Sequence, residues 1–163
     1  MMIRHYHSED AAALSDLYRA SVMELGRRHY SAAQVAAWLS LTPDPVRLDR
    51  LAQDGRLRLV AVDEVEQDSG TTCTQYLGFA DLERDGHLHF LYVAPAVAGA
   101  GVASTLCTHL ERHAAENHLP RLFVEASEAA SRLFVTRGFT IIKRNDIDIA
   151  GVMIHNYDME KWL

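Results

Sequence analysis

The period of apolar positions changes partway along the chain. From residue 11 to residue 25, "AAALSDLYRASVMEL", apolar residues recur every three or four positions, with Leu14, Leu17 and Val22 on the stripe of an amphipathic helix. "IRHYH" ahead of it predicts a short strand over 3–7. "SED" then predicts a helix start, with Ser8 accepting from backbone N–H groups and Glu9 and Asp10 at the positive end. Ser31 predicts the cap of a second helix, "AAQVAAWLS", and "TPDPVRLDRLAQDG" predicts a short third one ending near Gly55.

Beyond Gly55 the period drops to two. "RLRLVAVD", "CTQYLGFADLE" and "HLHFLYV" read as strands joined by the polar stretch "EVEQDSGTT" and the turn "RDG", which makes an antiparallel meander. A long helix follows from about Gly99 to Asn117. "RLFVEA" reads as a buried strand and "SEAASRLFVTRG" as a helix ended by Gly138. "FTIIKRNDI" and "VMIHNYDMEKWL" are two last strands around the turn "AG". The order is β-α-α-α-β-β-β-α-β-α-β-β, a mixed α/β (α+β) domain, and 163 residues suit one domain over 1–163.

Composition narrows the function classes. The formal net charge is −6 and no basic run exceeds Lys143–Arg144, which argues against a nucleic-acid partner. Cys73 and Cys107 form no C-x-x-C pair, so neither a zinc site nor a disulfide framework is expected, and both thiols read as reduced. The N-terminus lacks an apolar signal core, and no apolar run approaches the roughly 20 residues of a membrane span. A soluble cytoplasmic protein is expected.

The candidate chemistry starts at "LYVAPAVAGAGVASTLCTHL", where Gly99 and Gly101 lie between a strand and a helix. Glycines there let backbone approach a phosphate, and the helix N-terminus attracts the anion. A dinucleotide fingerprint requires a third glycine, where Ser104 stands, and a strand running straight into the first glycine, where "APAVA" intervenes. A nucleotide P-loop requires G-K-[ST], and the lysine is absent.

"VAPAVAGAGVA", Val93 to Ala103, resembles the acyl-CoA motif V-x-P-x-x-[Q/R]-G-x-G-x-[GA] of the GNAT N-acetyltransferase superfamily. "SEAASRLFVTRGF", Ser127 to Phe139, is similar to the family's second block N-x-x-A-x-x-F-Y-x-x-x-G-F, matching at Ala130, Gly138 and Phe139. The resemblance covers the chain in element order. It implies a mostly antiparallel central sheet of about seven strands, helices on both faces, and fourth and fifth strands that splay apart. It also implies acetyl-CoA as cosubstrate and transfer of its acetyl group to a primary amine, small molecule or peptide, by direct attack in a ternary complex. The alternative is a catalytically weak CoA-binding regulator or interaction protein. The pyrophosphate would take backbone amides of Ala98, Gly99, Ala100, Gly101, Val102, Ala103 and Ser104, with the Ser104 hydroxyl adding to them. The thioester carbonyl would take an N–H from Leu91, Tyr92 or Val93. Ser127, Ser131 and Phe134 fall along the pantetheine arm. Two positions depart from the family pattern: Ala98 replaces the usual Gln or Arg, and Phe134 replaces the Tyr that many members use as general acid.

Amine acetylation needs a base, because an alkylammonium does not attack a thioester. His87 and His89 alternate with apolar residues, so both point to one face of their strand; an imidazole near pKa about 6.5 accepts a proton at neutral pH. The arylalkylamine branch of the family carries H-x-H at this distance before the loop. Glu83, on the preceding strand, and Glu125, in an apolar strand where burial would raise its pKa, are the other base candidates, and Tyr157 and Tyr92 are the available phenols for the acid. Arg27, Arg28, His29, Tyr30 and Trp38 are expected to shape the acceptor pocket; otherwise they cover the sheet or face a second copy in a homodimer. His109 and His113 are i,i+4 on the long helix, but "HLERH" is not H-E-x-x-H and no third ligand accompanies it, so no metal is expected.

Overall fold

A computed structural model describes residues 1–163. The elements are β1 (Met2–His5), α1 (Ala11–Leu25), α2 (Ala32–Leu39), α3 (Pro45–Ala52), β2 (Leu57–Glu66), β3 (Thr72–Leu82), β4 (Leu88–Val93), α4 (Val102–Glu116), β5 (Arg121–Ala126), α5 (Glu128–Thr136), β6 (Thr140–Ile149) and β7 (Val152–Trp162). The strands form two antiparallel sheets, a four-stranded one in the order β1-β2-β3-β4 and a three-stranded one in the order β5-β7-β6. One parallel bridge, His87 to Phe123, joins them.

The alternation in "LRLVAV" shows why helices cover both faces. Leu59 and Ala61 enter one core with α4 and α5 residues such as Leu106, Leu110 and Phe134. Val60 and Val62 enter another, under Leu14, Leu17 and Tyr18 of α1 and Leu48 of α3. A strand buried on both faces loses the polar half of its pattern and reads as a near-continuous apolar run.

Helix starts differ in one instructive place. Ser31 caps α2 as expected, its Oγ accepting from Gln34 N at 3.2 Å while Gln34 returns a bond to Ser31 N. At α1 the cap is not Ser8. Residues 8–10 form a 3-10 turn, and the fully buried Asp10 carboxylate accepts from His7 N, Tyr76 Oη and both Arg4 guanidinium nitrogens, all at 2.8 Å. Burial raises the Asp10 carboxyl, but these donors outweigh it and hold it below its ordinary value. β1 ends two residues earlier than expected, at His5. The long helix begins at Val102, so Gly99 and Gly101 lie outside it.

Candidate active site

The two sheets touch at the start of β4 and part beyond it. Phe123 N donates to Gly86 O at 3.0 Å. Gly86 has φ +96°, and a Cβ there would lie 2.0 Å from Arg121 O, so only glycine allows this approach. Past the junction β4 and β5 share no ladder. The gap between them is a cavity of about 1150 Å³, walled also by residues 97–99 and 101–104, with Ala100 off the wall, by the α1–α2 region and by the β6–β7 turn.

The direction of each β4 amide follows from its neighbours. Ala94 N donates to Leu77 O at 2.8 Å and Phe90 N to Asp81 Oδ1 at 2.9 Å. Alternation therefore turns the amides of residues 90, 92 and 94 toward β3 and those of Leu91 and Val93 into the cleft. Tyr92, in the middle of the expected donor stretch, presents its amide to the sheet and its phenol to Tyr18, at 4.3 Å between ring centres. β4 carries a bulge here: Ala80 pairs with Leu91 and Leu82 with Leu88. The Asp81 carboxylate takes the Phe90 N–H that the bulge leaves unmatched.

The glycine loop sorts its own donors. Residues 95–97 form a 3-10 turn, Ala98 N bonds Pro95 O at 3.2 Å and Ala100 N bonds Val97 O at 3.0 Å. These two amides of the expected set are occupied within the loop. The amides of Gly99, Gly101, Val102, Ala103 and Ser104 donate to no group of the chain, as the first turn of a helix leaves them. Gly99 and Gly101 have φ +82° and +86°, and a Cβ on either would meet nothing within 4 Å. Arg137 Nη1 donates to Ser104 Oγ at 3.0 Å, with its other nitrogens on Thr108 Oγ1 at 2.9 Å and Glu111 Oε1 at 2.7 Å. A guanidinium thus lies against the first turns of α4. The sequence reading missed it, because nothing in "TRGF" points 33 residues back.

Ser127 and Phe134 line the cavity. The Ser127 hydroxyl caps α5 by accepting from Ala130 N at 3.2 Å. Phe134 packs on Phe139 at 5.0 Å, edge to face. Ser131 is off the cavity wall, its hydroxyl bonded to Glu128 O at 3.0 Å.

Of the expected bases, His89 and Glu125 line the cavity and His87 does not; all three are already engaged. His87 is held between Glu83 Oε1 at 3.1 Å and Glu125 Oε2 at 2.5 Å. Burial works against its charge, but the two carboxylates outweigh it and hold the imidazolium above its ordinary pKa. The same bond to His87 holds the Glu125 carboxyl below its own. His89 Nδ1 lies 2.8 Å from Arg56 Nη1, and a guanidinium only donates, so the Nδ1 lone pair is occupied. Burial and the Arg56 charge push the His89 pKa down against the opposing pull of Asp81. Asp81, fully buried, accepts from Arg56 at 3.0 Å and from Arg58 at 2.8 Å, which anchors this network in the sheet.

A second cluster stands across the cavity where β7 runs past the end of β5. His155 Nε2 bonds Glu128 Oε2 at 2.7 Å, and Tyr157 Oη donates to the same oxygen at 2.8 Å. Tyr30 Oη donates to His155 O at 2.9 Å and accepts from Glu128 N at 2.8 Å, and its ring lies 5.3 Å from the His155 ring. The bonds to His155 and Tyr157 hold the Glu128 carboxyl below its ordinary pKa and, in turn, raise the Tyr157 phenol. The sequence reading took Tyr157 from "HNYDM" and passed over His155, two residues earlier on the same face. Alternation was the available signal. Tyr92, Trp38, Tyr30 and His155 form a row across the cavity, with ring centres 6.4, 5.6 and 5.3 Å apart in turn. Arg28, His29 and Arg47 also line the cavity, whereas Arg27 does not. His109 and His113 bond Arg112 and Asn117 on their own helix.

Comparison with known proteins gives one consistent answer. A family model described as an acetyltransferase (GNAT) domain matches residues 27–161. The uncharacterised N-acetyltransferase YafP of Escherichia coli is 24% identical over 159 residues, covering 98% of this chain and 94% of that protein. The crystal structure of a GCN5-related N-acetyltransferase from Rhodopseudomonas palustris is similar at a TM-score of 0.83 and 33% identity, over 99% of this chain and 95% of that one. PaiA N-acetyltransferase of Thermoplasma acidophilum, solved in complex with coenzyme A, has the same fold at a TM-score of 0.73 and 18% identity, over 99% and 98% of the two chains.

Proposed function

The chain belongs to the GNAT acetyltransferase family, and from that premise we propose that it moves an acetyl group from acetyl-CoA to a primary amine by direct attack in a ternary complex. The observation that carries this reading is the set of unspent amides at Gly99, Gly101 and residues 102–104, gathered at the N-terminus of α4 and open to the cleft. They suit a pyrophosphate, with the helix dipole and the Arg137 guanidinium adding attraction. The Thermoplasma protein of the same fold was solved in complex with coenzyme A, which supports coenzyme A as the ligand class. One domain over residues 1–163 carries the activity. The acceptor is a small-molecule or peptide amine, and the protein is cytoplasmic; no helix is long and apolar enough to cross a membrane.

In this reading the acetyl carbonyl oxygen lies against the Leu91 and Val93 amides, which are directed into the cleft before any charge develops. The row of rings from Tyr92 to His155 flanks the acceptor and keeps water out. An acyl-cysteine route is disfavoured: Cys107 is buried on α4, and burial pushes its thiol up to about 12, so little thiolate forms at neutral pH.

Calorimetry with acetyl-CoA and then CoA release with a panel of amines test this function. Binding followed by amine-dependent CoA release supports it. Absence of acetyl-CoA binding at millimolar ligand overturns it, and tight binding without release to any amine favours a CoA-binding regulator.

A further inference from the structure

Most imidazoles and carboxylates at the cleft are already engaged, although His29 lines the cavity exposed and with no partner to fix its ring. His87 sits between Glu83 and Glu125 with both ring nitrogens engaged. Glu125 is ion-paired to that imidazolium, which makes it a weak base. His89 spends its Nδ1 lone pair on Arg56, so its remaining nitrogen carries hydrogen and can only donate.

His155 differs. It lies on the cavity wall with its side chain 18% exposed, and only Nε2 has a partner, the Glu128 carboxylate. A carboxylate accepts hydrogen, so Nε2 bears the proton and the neutral ring keeps its lone pair on Nδ1, where the chain offers no bond. Tyr30 fixes the ring from one side and ties the His155 carbonyl to the Glu128 amide, so base and carboxylate are held as one unit. This is the arrangement in which a carboxylate sets an imidazole's tautomer and steadies its charged form.

We propose that His155 is the general base of the acetyl transfer and that Glu128 is its positioning residue, a role that rests on the acetyltransferase reading above. Nδ1 of His155 takes one proton from the acceptor ammonium, directly or through one water, and the imidazolium shares its Nε2–H with Glu128. The freed nitrogen lone pair forms the C–N bond to the thioester carbonyl, whose electrons move to oxygen. The C–S bond then breaks, the thiolate leaves with its electron pair, and the second amine proton neutralises it. The products are the amide, CoA thiol and one proton that His155 returns to solvent. The groups facing His155 are Glu128 on α5, Tyr157 on β7, Tyr30 ahead of α2 and Asp146, its register partner on β6. His29 and Arg144 act on this cluster through Glu128 and Tyr30.

The test joins nitrogen-15 NMR of the histidine rings with kinetics on the full chain. Above its titration the His155 ring should show a protonated Nε2 and a bare Nδ1. A ring protonated on Nδ1 when neutral, or still doubly protonated at pH 8, overturns the proposal even with no acceptor identified. With an amine from a phenethylamine, polyamine and peptide panel, His155→Gln should lower turnover by about 100-fold and leave acetyl-CoA affinity unchanged, which also reports an intact fold. Glu128→Gln should keep much of the turnover, because its amide oxygen still accepts from Nε2–H, whereas Glu128→Ala should lower kcat and let the neutral ring show a mixture of tautomers in the nitrogen-15 spectrum. Unchanged turnover in His155→Gln, with acetyl-CoA bound and CoA released by the parent chain, overturns the role of His155 while leaving the transferase reading in place. Absence of acetyl-CoA binding in the parent chain overturns both.

Discussion

Arg56 Nη1 stands 2.8 Å from His89 Nδ1, and this contact sets the protonation state of a ring on the cavity wall. The guanidinium has no lone pair to offer, so the imidazole accepts through Nδ1, carries its hydrogen on Nε2 and resists a second proton. His89 is therefore a neutral donor on the cavity wall. His89→Gln keeps an N–H donor and should retain most of the turnover, whereas His89→Phe loses the bond and should cost up to about tenfold. Nitrogen-15 spectra should show a bare Nδ1 from pH 6.5 to 8. A doubly protonated ring at pH 6.5, or loss of the acid limb in His89→Gln, contradicts this state.

His87 should make stability depend on pH in the opposite sense. Its pKa is raised on folding by Glu125 and Glu83, so its contribution is fully present below the unfolded value of about 6.5 and fades as pH rises through the folded value. Glu125, whose pKa is lowered, contributes above its unfolded value and loses that contribution as pH falls through the folded one. The pair is strongest between these limits. His87→Gln should abolish the decline in melting temperature above pH 6.5. In the window it should cost about 2–4 °C, the shift that ~1 kcal/mol makes in a domain of this size. Water reaches the half-exposed Glu125, so a larger loss is not expected. A melting curve series with unchanged slope above pH 6.5 counts against the pair.

Gly86 should be among the least replaceable residues, although it lines no site. An alanine Cβ there falls 2.0 Å from Arg121 O, at a backbone φ of +96°. Strain at such φ values costs about 1–3 kcal/mol before the clash is counted. Gly86→Ala should lower the melting temperature by at least about 5 °C and weaken acetyl-CoA binding, since the junction sets how far β4 and β5 diverge. A variant with the parent's melting temperature contradicts this. Gly70→Ala, with φ +76° and open space around it, controls for backbone strain alone.

These residues also mark what sequence can carry. Features encoded within one element were readable: the two-faced alternation at Leu59 to Val62, the Ser31 cap, the helix stop at Gly138 and the glycines ahead of α4. Features made by distant partners were not. "RDG" gives a turn, but the approach of Arg121 that makes Gly86 obligatory belongs to another sheet. Ser8 has the right chemistry for a cap, yet Asp10 stands at the N-cap position of α1, its carboxylate spent on His7 N and on Arg4 and Tyr76 from β1 and β3. H-x-H correctly puts His87 and His89 side by side, rings 5.7 Å apart. Which nitrogen stays free is decided by Arg56, Glu83 and Glu125, and His155 acquires Glu128 from 27 residues away.

Ala98 and Arg137 allow a direct measurement of how a loop without its customary polar side chain holds a polyanion. Ala98 stands where the family pattern places Gln or Arg, and the Arg137 guanidinium lies at the same end of α4, bonded to Ser104 and Thr108. Ala98→Arg should lower the acetyl-CoA Kd about fivefold, the effect of ~1 kcal/mol from one charge-assisted contact open to water. Arg137→Ala should raise it by a similar factor and make binding less sensitive to salt. If both cations act on the same phosphates, the gain from Ala98→Arg should be larger in the Arg137→Ala background, a coupling that a double-mutant cycle by calorimetry reads directly. Additive effects would assign them to separate parts of the cosubstrate. No effect of Arg137→Ala on Kd would leave Arg137 as a tie between α4 and α5 through Glu111, and the pyrophosphate to the backbone amides alone.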